Sequence, residues 1–176
     1  MNLRRYITRT LIVFFLSAVG FSALANPITA AAGDACYNQP NNANCNGDNP
    51  QTSGCSADAY TVANATVYIK DDISGANDGK VELRYSPHCG TNWSRVTSLL
   101  TYGGGGGSGL CPSTPGLRAK VVRQDGLNYM YTLCQANIPN GTIIFSAMVY
   151  APTVCAYAYG AMDPNGPIIS NQTRCF

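Results

Sequence analysis

The chain has 176 residues, 11% of them charged, with a formal net charge of +2, eight cysteines and one histidine. Three of its eleven Lys and Arg (Arg4, Arg5 and Arg9) sit at the extreme N-terminus, so beyond it eight basic residues face nine acidic ones. That near-neutral remainder gives no basic surface for nucleic acid or anionic lipid, and its length suits one domain.

Met1 to Ala25 reads as a secretory signal peptide. The arginines form its positive start, Leu11 to Leu16 is unbroken hydrocarbon, and Ala23-Leu24-Ala25 is a small-x-small cleavage site, with Ala30-Ala31-Ala32 as a later one. The apolar run is shorter than the ~20 residues of a membrane span, so no membrane attachment is expected after cleavage. Cys36, Cys45, Cys55, Cys89, Cys111, Cys134, Cys155 and Cys175 all follow it. An even set in an exported chain implies four disulfides in an oxidising compartment, with the pairing left open. A zinc site would need closely spaced Cys pairs or further histidines, which the chain lacks.

Residues 33–59 are rich in Asn, Gly and Pro and poor in large apolar side chains. They read as an irregular Cys-rich lobe stapled to a main β-domain, residues 60–176. Within the lobe, Asp48 and Asp58 read as turn formers rather than calcium ligands. In Tyr60–Lys70, Ala65, Val67 and Ile69 alternate with Asn64, Thr66 and Tyr68, a strand pattern. A loop from Asp71 to Gly79 follows, with Asp78-Gly79 expected to supply the left-handed turn positions. Asp71, Asp72 and Asp78 are its weak calcium candidates.

The next strand sets Val81, Leu83 and Tyr85 on one face and Lys80, Glu82 and Arg84 on the other. Ser86-Pro87 stops it, because proline lacks an N–H and restricts the residue before it. A bridged Cys89 and the aromatic Trp93 then make a rigid corner of Arg84, Tyr85, Pro87, Trp93 and Arg95, with Trp93 and Arg95 a candidate cation–π pair. Trp93 to Leu100 fits either a strand or a short helix. Gly-rich residues 103–109 read as a loop pinned by Cys111; the Lys-Ser/Thr of a phosphate loop does not follow.

Two hairpins are expected next, one around Asp125-Gly126 and one around Asn140-Gly141. A further alternating run at Val154–Tyr159, a turn at Asp163-Pro164-Asn165-Gly166 leading to Ile168-Ile169, and a last short strand expected at Thr173 to Phe176 complete the chain. The fold expected is all-β, a barrel or sandwich of about seven or eight short antiparallel strands.

Taken together, Cys45-Asn46-Gly47-Asp48-Asn49-Pro50, Gly54-Cys55, Ala57-Asp58-Ala59, the block Val81 to Pro87 with Cys89 and Thr91-Asn92-Trp93-Ser94-Arg95, and Phe145 to Pro152 resemble the bacterial domain of unknown function DUF2690. Asn49-Pro50 stands where that family has Asp-Pro, and the last four cysteines look additional to its four. The resemblance implies a secreted or surface-exposed bacterial domain and no particular reaction.

For chemistry, His88 is the one candidate general base of ordinary kind, and no nucleophile is named by its neighbours. Glu82, the sole glutamate, sits on a polar face beside Arg84, where a cross-strand or same-face ion pair is the simpler reading. Binding is better motivated: Trp93, Tyr129 and Tyr131, or Tyr157 and Tyr159, could stack on sugar rings or present an interface. The expected protein is a non-enzymatic binding or structural module for a polysaccharide, a cell-envelope component or an extracellular protein, without a cofactor. The alternative is a small extracellular hydrolase or hydrolase inhibitor using His88 and nearby carboxylates.

Overall fold

The alternation that begins at Tyr60 becomes one half of a β-sandwich. The computed structural model describes residues 34–71, 73–103, 109–164 and 167–176. The expected signal peptide, Asp72 and most of the glycine-rich loop lie outside them. β1 (Tyr60–Lys70), β2 (Asn77–Ser86) and β3 (Thr91–Ser98) pair antiparallel in that order, and β8 (Ile143–Phe145) and β9 (Val149–Tyr150) both pair with β3. The second sheet runs β11 (Ile169–Gln172), β10 (Ala156–Asp163), β5 (Gly116–Arg123), β6 (Asn128–Cys134), again antiparallel. A two-residue ladder joins β4 (Tyr102–Gly103) to β7 (Asn137–Ile138). The two sheets stay separate, so of the two expected architectures the sandwich forms and the barrel does not.

Ala65, Ile69, Val81, Leu83 and Val96 of the first sheet pack against Leu117, Ala119, Val121, Ala158 and Met162 of the second. Each fully buried Val, Leu or Ile contributes roughly 1.5–3 kcal/mol. Period-two patterning puts these residues on facing surfaces, and Trp93 and Arg95 on the outer face of the first sheet. Trp93 to Ser98 is therefore strand, which settles the ambiguity of that segment.

The lobe lies over that outer face. It contains two single-turn helices, α1 (Ala35–Asn38) and α2 (Asn42–Cys45). The Asp34 carboxylate accepts the Cys36 N–H at α1, and the Asn41 side chain accepts from Ala43 and Asn44 at α2. Its small core consists of Cys36, Cys45, Cys55 and Cys89 with Trp93 and Met148. All eight cysteines pair with the next in sequence: Cys36–Cys45, Cys55–Cys89, Cys111–Cys134 and Cys155–Cys175. The sulfurs of Cys36, Cys55 and Cys89 come within 4.8 Å of one another because two bridges stack there.

Two expected turns are corrected. Asp78 and Gly79 belong to β2, and the left-handed residue of the preceding loop is Gly75 (φ +68°). Gly79 instead answers a packing demand, since a Cβ there would stand 2.5 Å from Met162 Sδ. Asn140-Gly141 does turn, with Gly141 at φ +85°, but joins no hairpin. Ser98 accepts the Gly141 N–H and donates to the Thr142 carbonyl, which sends β8 along β3 and brings Ile144 beside Val96. Asp125-Gly126 closes the β5–β6 hairpin as expected, with the Arg123 guanidinium clasping Asp125.

Candidate functional site

The corner after β2 is held by Asp58. Its carboxylate accepts the Ser86 hydroxyl at 2.6 Å and the His88 N–H at 2.8 Å, while Ser86 Oγ accepts the Cys89 N–H at 3.1 Å. The His88 ring lies 4.2 Å from the Tyr37 ring, and Nε2 stands 2.9 Å from the Tyr37 carbonyl. A carbonyl only accepts, so Nε2 carries a proton. His88 thus fastens corner to lobe, and the nearby Ser86 hydroxyl points its proton at Asp58 instead of meeting the imidazole.

Glu82 is part of the same scaffold. Arg95 grips it with two nitrogens at 2.9 and 2.8 Å, Lys80 Nζ is 3.3 Å away, and Thr61 donates at 3.1 Å. Burial alone would raise this carboxyl, but the hydrogen bonds and charge of Arg95, helped by Lys80, outweigh it and hold it below the usual glutamate range. Arg84 donates to Thr61 Oγ1 and to the Ala59 carbonyl, tying the lobe's exit to β2.

The expected aromatic sites fare unevenly. Trp93 is 1% exposed inside the lobe core, and the guanidinium of Arg95 is engaged by Glu82. Trp93 therefore offers no open ring to a ligand and is not the cation–π partner expected. Tyr129 and Tyr131 share a face of β6, but Tyr129 packs over Gly47, whose added Cβ would stand 3.2 Å from the ring. Tyr131 is half exposed and lines a groove with Ile143 and Phe145. Tyr157 and Tyr159 face the other side of the same sheet, because Ala156 and Ala158 take the inward positions of β10. The four tyrosines are two pairs on opposite surfaces.

The weak calcium candidates do not assemble among the described residues. Asp71 Oδ1 caps its own loop by accepting from Ser74 and Ile73, and those bonds, Ser74's foremost, lower its pKa. Asp78 is 3% exposed, and burial, reinforced by the charge of Asp71, raises its carboxyl above the usual aspartate value.

One opening was not anticipated. At the end of the sandwich near the corner, a cleft of about 440 Å³ is lined by Tyr60, Tyr85, Asn92, Pro152, Val154 and Phe176. Tyr85 continues the inward row of Val81 and Leu83 past the point where the second sheet covers it. Its cross-strand partner Tyr60 meets it edge to face, centroids 5.8 Å apart at 79°. Tyr60 is 50% exposed, and burial raises the hydroxyl pKa of Tyr85. The far wall is fixed by paired backbone bonds between Ala156 and Phe176, beside the Cys155–Cys175 bridge. The signal in the sequence was the alternation itself, which puts Tyr85 with the core residues; only pairing with Tyr60 shows that the core opens there.

No curated protein and no solved structure shows significant similarity to the chain. Four disulfides argue for an oxidising, non-cytoplasmic environment. Among the described residues no helix is long and apolar enough to cross a membrane. The family model described as "Protein of unknown function (DUF2690)" matches residues 43–159, from within the lobe through the first half of β10. Spanning most of the lobe, the corner and most of both sheets, that match makes the chain a member of the DUF2690 family.

Proposed function

We propose that the protein is an exported, non-enzymatic binding module of the bacterial cell surface or extracellular space, which seats a saccharide chain in the cleft beside Tyr60 and Tyr85. The observation that carries this reading is the lining itself. Two tyrosines set edge to face and a proline offer stacking surfaces, the tyrosine and Thr153 hydroxyls offer polar anchors, and no carboxylate or imidazole side chain stands among them. The leader-like N-terminus and the four bridges support export. The hydrolase reading loses ground because His88 is engaged by Tyr37 and Glu82 by Arg95.

The test is retention of the exported protein on chitin, cellulose and isolated cell envelope. Retention is expected on at least one, weakened about tenfold by Tyr60→Ala, which removes an exposed ring without opening the core. Free passage over all three, or retention unchanged by Tyr60→Ala, overturns the reading.

A further inference from the structure

The outer face of the second sheet carries a different kind of surface. Its outward positions hold Arg118, Lys120, Met130, Tyr157, Tyr159 and Gln172 around a shallow groove of about 310 Å³. No Asp or Glu stands in that lining. Two of the described carboxylates approach the sheet, one of them paired and the other enclosed. Asp125 is clasped by Arg123 at the hairpin end. Asp163 is enclosed and accepts the N–H groups of Gly109 and Leu110. The segment bearing Leu110 and Cys111 covers that end of the sheet, packed on Ala161 and Tyr159 and fixed by the Cys111–Cys134 bridge. Gly116 permits this, since a Cβ there would stand 2.7 Å from Leu110 and 2.8 Å from Cys111 Sγ.

The cations are available. Neither Arg118 nor Lys120 forms a salt bridge with a described residue. Among the described residues Arg118 donates only its Nε, to Thr132 Oγ1 at 3.0 Å. In the β5–β10 ladder Lys120 is directly opposite Tyr159, and Tyr157 lies two residues further along the same face.

We propose that this face binds an anionic polysaccharide, specifically a chain of uronic acids. Such a polymer bears its carboxylate on the ring that stacks, and the pairing of Lys120 with Tyr159 offers a cation beside an aromatic plane in the same way. Successive outward residues recur about every 6.7 Å along a strand, so Tyr157 and Tyr159 can take neighbouring rings of one chain. The site is separate from the Tyr60 cleft, and its ligand is chosen by charge where the cleft's is not.

Calorimetric titration of the exported protein with polygalacturonate, against neutral amylose, tests it. Polygalacturonate is expected to bind and amylose not to compete. Affinity should fall about tenfold at high salt, and by a similar factor in the Arg118→Gln/Lys120→Gln double variant, whose melting temperature checks its fold. Tyr159→Phe should keep binding and Tyr159→Ala lose it, whereas Tyr60→Ala should leave it unchanged. The proposal is overturned if polygalacturonate does not bind, if the folded double variant binds it equally well, if Tyr60→Ala abolishes the binding, or if a single-stranded oligonucleotide is preferred.

Discussion

Gly160 of β10 lies directly beneath Val81 of β2, so close that a Cβ on the glycine would stand 2.5 Å from Val81 Cγ2 and 2.9 Å from Val96 Cγ2. The missing side chain sets the separation of the two sheets at the middle of the core. Gly160→Ala should therefore destabilise by about 1–3 kcal/mol through overpacking, despite removing a flexible residue from a strand. Val81→Ala in the same chain should recover part of the loss, and chemical denaturation of the two single variants and the pair measures the coupling. Additive effects would mean the sheets part freely.

The Cys55–Cys89 bridge closes a loop of 34 residues and covers Trp93. Replacing both cysteines by alanine should cost about 4 kcal/mol, most of it through release of the unfolded chain. The same variant should expose Trp93, seen as a red shift of its fluorescence, because the bridge packs directly against that ring in the lobe core.

Acid should weaken the fold partly through Glu82. Its carboxyl is held below the ordinary value of 4.5, so the folded state resists protonation longer than the unfolded chain. The stabilisation is complete above that ordinary value and is lost as pH falls through the depressed one. Glu82→Gln should be less stable than the wild type at neutral pH, with the gap closing below about pH 4.5. The comparison isolates Glu82 from Asp48 and Asp78, whose carboxyls burial raises and whose contributions have the opposite sign. A gap that stays constant down to strongly acid pH would contradict the assignment.

His88→Ala should lower stability by about 1–2 kcal/mol, because it deletes the bond to the Tyr37 carbonyl and the contact between the rings. Saccharide retention should survive it. A variant of unaltered stability with lost function would instead mark His88 as part of a working site.

Much of the fold was legible because sheet faces follow a two-residue period. That rule assigned Val81 and Leu83 to the core, Glu82 to the opposite, polar face, and Tyr157 and Tyr159 to one surface. It failed where a local motif had a tertiary competitor. Asp78-Gly79 resembles a turn, yet Gly79 is small because Met162 lies over it. Asn140-Gly141 does turn, yet the strand after it pairs with β3, where Ile144 gains a buried neighbour. Trp93 looked like an exposed binding ring because nothing in the sequence says that the lobe folds back over that face.

The sequence by itself determined the cysteine framework, the all-β architecture and the near-neutral charge, since these depend on composition and short-range periodicity. It could not determine where charge gathers. Arg118 and Lys120 acquire an acid-free face only when β6, β5, β10 and β11 align, and Tyr60 meets Tyr85 only across the β1–β2 ladder. Both candidate binding surfaces are built from residues far apart in the chain. Their juxtaposition comes from strand register and sheet packing, and these are properties of the whole fold.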